Sequence, residues 1–194
     1  MNFFKRFFGH LKTVTKHKFW VWYYMDKCHH GWRGVWHDMS KFSPIEFWEG
    51  VKYYRGTRSP IDACKDDKGI SMAWMHHKGR NPHHYEYWQD NFDNGGEEKE
   101  MPLKYKIEMI CDYLGAARAY MGKNFSYQAE LEWWNKKLQQ PRAMHQNDIW
   151  FVTYVLTMLA HFERNKNQKW ATELLYATLM VGFDELNSEN GTKI

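Results

Sequence analysis

The chain has 194 residues, 43% hydrophobic and 26% charged, which excludes a disordered composition and suits one domain with a substantial core. Its net charge of +4 comes from dispersed basic residues, so nothing marks a nucleic-acid surface; mild basicity instead favours anionic small molecules. Cys28, Cys64 and Cys111 stand far apart with no CxxC pair, which argues against a disulfide framework or thiolate zinc site and points to reduced thiols in a cytoplasmic protein.

The opening stretch, "MNFFKRFFGHLKTVTKHKFWVWYYM", predicts a helix from about Phe3 to Cys28. It lacks an uninterrupted apolar region and a small-residue cleavage site, so it is not read as a signal peptide. No apolar run is long enough to span a membrane. The helix is read as an ordinary buried one, with an amphipathic membrane-surface helix as the alternative. A loop is expected through "HHGWRG". "SPIE" at 43–46 then has the form of a capping box, with Ser43 as N-cap, Pro44 at the first helical position and Glu46 reaching back. "SPID" at 59–62 repeats the device. "GISMAWMHH" predicts a helix ending at Gly79, and "HHYEYWQDNF" predicts another after Pro82. Residues 93–100 read as a loop. Further helices are expected after Pro102, from Ser126 to about Leu138, from Asp148 through "IWFVTYVLTMLAHFE", and over 170–186. The tail 187–194 should fray. No strand alternation is convincing, so the expected fold is all-α, a single domain over 1–186.

Chemistry concentrates in three places. His37 and Asp38 form an adjacent pair in which the imidazole can hold one ion and the carboxylate can bridge to a second. His76, His77, His83 and His84 flank a Gly-Arg-Asn-Pro break. Asp112 sits in an otherwise apolar helix, with Glu108 four residues before it on the same face; a buried carboxylate there needs a partner. Upstream, His10 and His17 share a helix face. Lys41 and Arg80 are candidate phosphate contacts, Asn81 a candidate ligand-orienting residue. Trp74, Tyr85, Tyr87 and Trp88 can wall a pocket, although core packing is the plainer reading of most of them.

The order His, His-Asp, His cluster, Asp resembles the HD-domain metal phosphohydrolase superfamily. There, helices bring H…HD…D around one metal, and extra histidines support a second. "HDMSKFSP" resembles the HD-x-GK-x-x-P motif of HD-GYP phosphodiesterases, with Ser40 in place of Gly. "HHKGRNPHHYEYW" resembles their His-His-Glu segment loosely, and the Gly-Tyr-Pro signature is absent, so cyclic-dinucleotide specificity is not implied. A wider resemblance covers most of the chain: "HLKTVTKHKFWV", "HDMSKFSPIEF", "AWMHHKGRNPHHYEYW", "MPLKYKIEMICDYLGAARAY" and "LTMLA" are similar to an uncharacterised family of bacterial and phage proteins, a domain of unknown function.

The HD resemblance implies a helical bundle in which His17 (or His10 in its place), His37, Asp38 and Asp112 hold one ion. His76, His77, His83 and His84 supply further ligands, with His77 and His84 slightly favoured. One or two divalent transition metals are expected, iron or manganese before zinc, nickel or cobalt. The implied activity is hydrolysis of a small phosphate ester, such as a nucleotide, with Asp38, Lys41 and Arg80 at the reacting centre. An HD-type di-iron oxygenase, and a catalytically inactive nucleotide-binding or phage counter-defence protein, remain as alternatives. A fully structural role for the histidine pairs is the plain one.

Overall fold

The computed structural model describes residues 1–165, so the expected helix over 170–186 and the tail 187–194 lie outside the described residues. Eight α-helices occur among them: α1 (Phe3–Lys27), α2 (Gly31–Trp36), α3 (Pro44–Tyr53), α4 (Pro60–Lys68), α5 (Met72–Lys78), α6 (Leu103–Met121), α7 (Tyr127–Leu138) and α8 (Gln146–Arg164). The expected all-helical class holds at that level. Its one exception among the described residues is a minimal antiparallel ladder, β1 (Gln89–Asp90) with β2 (Glu97–Glu98), pairing Gln89 with Glu98 and Asp90 with Glu97.

Asn2 caps α1, its Oδ1 accepting the backbone N–H of Lys5 at 2.9 Å. The helix buries His10, Val14, His17, Val21 and Tyr24, a three-to-four-residue stripe turned inward. α6 packs along it, burying Ile107 through Leu114 almost without a break. The two axes come close at Gly115, where a Cβ would stand 2.5 Å from Val21 Cγ2 and 3.0 Å from the Val21 backbone nitrogen. This approach brings His17, one turn before Val21, beside Asp112, three residues before Gly115. Val21, Tyr24, Met109, Ile110, Leu114, Trp134, Val152 and Leu156 belong to the main core, where α7 and α8 close over α1 and α6. α3, α4 and α5 form a second layer around Tyr53, Ala63 and Cys64.

Several local expectations give way to longer-range contacts. α2 is helical where a loop was expected. Ser43 and Pro44 do start α3, but the Ser43 hydroxyl makes no capping bond and Glu46 does not reach back; its carboxylate is taken by two histidines. "HHYEYWQDNF" is not an α-helix. It forms a 3-10 turn (Tyr85–Tyr87), then β1 and the start of a second 3-10 turn at Phe92, because Trp88 Nε1 donates back to Pro82 O at 2.6 Å and Asn91 enters the left-handed region at φ 54°. α8 begins one turn earlier than Asp148, capped by His145. Asp148 is buried and accepts the Met101 N–H at 3.2–3.3 Å and the Lys106 ammonium at 3.0 Å.

Glu130 on α7 is buried, and that burial pushes its carboxyl up to about 8; Lys137 opposes the shift and Asp112 reinforces it. An acid whose folded pKa is raised loses stability as pH climbs from its unfolded value, near 4.5, to its folded one. Glu130→Gln should therefore raise the melting temperature at pH 8, by an amount worth roughly 2–4 kcal/mol, with the gain vanishing towards pH 4.5. Thermal unfolding of both proteins across that range checks it; a gain independent of pH would contradict the assignment.

Candidate metal centre

The centre is built around Asp38. This residue lies between α2 and the 3-10 turn Met39–Phe42, in the left-handed region at φ 54° and ψ 31°. That conformation costs a non-glycine residue roughly 1 kcal/mol. Neighbouring side chains on a regular helix diverge by about 100°. The turn from extended His37 into left-handed Asp38 instead buries both side chains in one cluster, where His37 is 2% and Asp38 3% exposed. Lys18 fastens this corner from α1, its ammonium donating to Val35 O at 2.5 Å and His37 O at 2.7 Å.

Two groups of donor atoms meet at Asp38. The first is His17, His37, Asp38 and Asp112. Asp38 Oδ2 lies 3.4 Å from His17 Nε2 and 3.2 Å from His37 Nε2; Asp112 Oδ1 lies 3.1 and 3.3 Å from the same nitrogens. The second group is Asp38, His77, His83 and His84, with Asp38 Oδ1 3.3 Å from both His77 Nε2 and His83 Nε2. The Nε2 atoms of His17, His37, His83 and His84 are buried, yet among the described residues none makes a hydrogen bond of good geometry; of the Asp38 oxygens, Oδ2 is met by the Lys41 ammonium at 2.6 Å. Buried polar atoms are normally satisfied. Here the Nε2 atoms of His17, His37 and His83 stand 3.1–3.4 Å from carboxylate oxygens without the angles of hydrogen bonds, as donor atoms aimed at shared points do. Imidazole and carboxylate donors without thiolate suit manganese, iron, cobalt, nickel or zinc.

Two glutamates stand behind the histidines. Glu108 Oε1 accepts from His37 Nδ1 at 3.0 Å and lies 3.3 Å from His83 Nδ1, while Arg33 Nε donates to Oε2 at 2.5 Å. Glu46 accepts from His77 Nδ1 at 2.8 Å and His76 Nδ1 at 2.6 Å. A carboxylate accepts only, so each contacted Nδ1 carries a proton, which leaves Nε2 as the nitrogen that would ligate a cation, after loss of its own proton where the imidazole is charged. Glu108 thus steadies one histidine of each donor group.

Burial opposes charge throughout, and the neighbours overrule it. Burial pushes the Asp38 and Asp112 carboxyls up. His37, Lys41 and His77 around Asp38, and His17 and His37 around Asp112, nevertheless hold them well below the usual carboxylate range. Burial pushes His37 and His83 down, and the carboxylates of Asp38 and Glu108 carry both above the ordinary imidazole value. His77 is lowered by burial and then by the Lys41 charge, and His84 strongly lowered by burial and its histidine neighbours. A cation would displace the His37 and His83 protons, so its affinity rises with pH.

Of the residues singled out from the sequence, His17, His37, Asp38, His77, His83, His84 and Asp112 come together. Lys41 joins them, its Nζ 2.6 Å from Asp38 Oδ2 and 3.2 Å from His77 Nε2. Asn81 donates to Ser40 Oγ at 2.9 Å and His77 O at 2.7 Å, bracing the turn under His77. His76 turns to Glu46 and belongs to neither donor group. Arg80 is exposed and does not touch the cluster. His10 packs over Gly50, Phe47 and Tyr54, its pKa lowered to about 4 by burial and then by Lys41, and stays outside both groups. Trp74 places its ring 5.1 Å from that of His84, whereas Tyr85 and Trp88 pack on the core. The roles of Glu46, Arg33 and Lys18 were not foreseen. Glu108 was visible only as the residue one turn before Asp112.

Fold and site together define a helical protein with a buried, histidine- and carboxylate-lined centre able to hold a metal ion. Residues 6–158 match a family of unknown function (DUF5662), and the chain belongs to that family. No curated protein and no solved structure matches it, and nothing in these comparisons links it to the HD-domain superfamily.

Glu108→Gln keeps the side-chain shape but removes the charge that orients His37 and His83. Metal affinity should fall about 10–100-fold, measured by competition against a chelating dye. Unchanged affinity would remove Glu108 from the centre.

Proposed function

We propose that this chain is a metal-dependent phosphohydrolase with an HD-like centre, acting on a nucleotide or similar small phosphate ester. The observation that carries this reading is Asp38. It offers one oxygen to each of two donor groups, with the Lys41 ammonium 2.6 Å away. The order of the first group, His17 on α1, His37-Asp38 after α2 and Asp112 on α6, supports an HD-like arrangement on the helical fold.

Bound ions would supply Lewis acidity and lower the pKa of water towards neutrality. The chain's own residues perform the remaining tasks. Asp38 and Asp112 stay ionised and His84 neutral, the states that cation ligation requires. Burial depresses the Lys41 ammonium, but Asp38 and then Asp112 lift it above its ordinary value, so it remains a fixed positive charge. Its side chain is 25% exposed, so a phosphoryl oxygen can reach it from solvent. Arg80, exposed on the turn between His77 and His83, offers a further contact for an anionic substrate.

Purified protein assayed against phosphomonoesters, phosphodiesters and nucleotides with added manganese or iron should release phosphate or nucleoside monophosphate. Asp38→Asn should abolish turnover, and Lys41→Met should lower kcat/KM by about 10²–10³. Full activity in Asp38→Asn would contradict the reading. Stoichiometric recovery of unhydrolysed nucleotide would mark a sequestering protein instead, and turnover requiring iron and dioxygen an oxygenase.

A further inference from the structure

α1 carries a second apolar stripe on the side away from the core. Phe4, Phe8, Leu11, Phe19 and Trp22 share this outer face at helical spacing, interrupted once by the exposed Thr15 between Leu11 and Phe19. The stripe extends about 27 Å at 1.5 Å per residue. Phe4 is 69% exposed, Phe8 61% and Phe19 51%. Two shallow troughs lie along it, one beside Phe4 and Phe8, the next between Phe8, Leu11 and Phe19. At the N-terminal end Phe3 stacks on Trp48 of α3 at 6.4 Å, and both rings are also about half-exposed. Single exposed apolar residues are ordinary on a protein surface, but a row of exposed aromatic rings along one helix face marks an interaction site.

The charges beside the stripe select its partner. Lys5, Lys12 and Lys16 line one flank. The first 25 residues contain five lysines and arginines and no Asp or Glu; the first acid, Asp26, is near the far end of the helix. Lys5 and Lys12 have no ion-pair partner among the described residues, whereas Lys16 reaches back to Ala119 O at 2.9 Å. Two copies packed along this stripe would bring lysine rows together with almost no acid to offset them. An anionic lipid surface meets both features at once, because aromatic rings enter the boundary between headgroups and acyl chains while lysines extend to the phosphates.

We infer that the outer face of α1 docks the protein on bilayers bearing anionic headgroups, lying in the interface and not spanning it. This is independent of the metal centre, whose α1 residue, His17, lies on the opposite, buried face. No helix of the described residues is long and apolar enough to cross a membrane.

The test is cosedimentation of the full chain with vesicles of phosphatidylcholine alone and of phosphatidylcholine mixed with phosphatidylglycerol, at low and high salt. Binding to the anionic vesicles, weakened by salt, is expected. Phe4→Ser with Phe8→Ser, and separately Lys5→Gln with Lys12→Gln, should each lower partitioning by roughly tenfold or more. All four positions are exposed, and circular dichroism verifies that the variants fold. Failure to bind anionic vesicles, or binding unaltered in both variants, would overturn the inference. Concentration-dependent self-association lost in the Phe variant would also overturn it, by assigning the face to a second copy of the chain.

Discussion

The structure turns on one buried carboxylate. Removing a charged Asp from water is expensive, and two nearly buried acids sharing a cluster with two glutamates are more expensive still. Asp38 is tolerable because five cationic or hydrogen-bonding groups converge on it. His17 comes from α1, His37 from the preceding residue, Lys41 from the next turn, and His77 and His83 from either side of the Gly-Arg-Asn-Pro break. The left-handed backbone at Asp38 is a local cost within this arrangement, because it lets consecutive residues enter the same cluster.

The layer behind the donors explains the paired histidines. Glu46 holds both members of the first pair, so His77 presents Nε2 inward while His76 turns outward and steadies the carboxylate. Glu108 holds His83 of the second pair together with His37, and Arg33 neutralises its other oxygen. Each glutamate thereby fixes ring orientation and tautomer for two imidazoles. Such support matters because a ligand free to rotate would lose entropy on each binding event.

Much of this was legible in the sequence. The long helices announced themselves through periodicity, and Ser126 caps α7 as its position implies, accepting from Ala129 N at 3.0 Å. His37, Asp38 and Asp112 stood out as ionisable residues in apolar or aromatic surroundings. The misses share a physical cause: a local pattern overridden by a distant partner. Glu46 fits a capping box, but two histidines about thirty residues away compete successfully for its oxygens. Asp148 fits an N-cap, but Lys106 and the Met101 N–H draw it inside. The stretch after Pro82 has helix-forming residues, yet helical geometry would separate His83 and His84, whose rings sit 4.3 Å apart in the cluster. No spacing rule within a single segment encodes which of two adjacent histidines faces inward, because α3 and α6 decide it.

The central claim is that Asp38 is shared by two cation sites. Metal per chain, determined by mass spectrometry after reconstitution with manganese, iron or zinc, tests it most directly when wild type and Asp38→Asn are compared and circular dichroism confirms both are folded. The account expects two equivalents in the wild type and a loss at both positions in the variant. A folded wild-type protein that takes up fewer than two equivalents, or a variant that retains both, would contradict it.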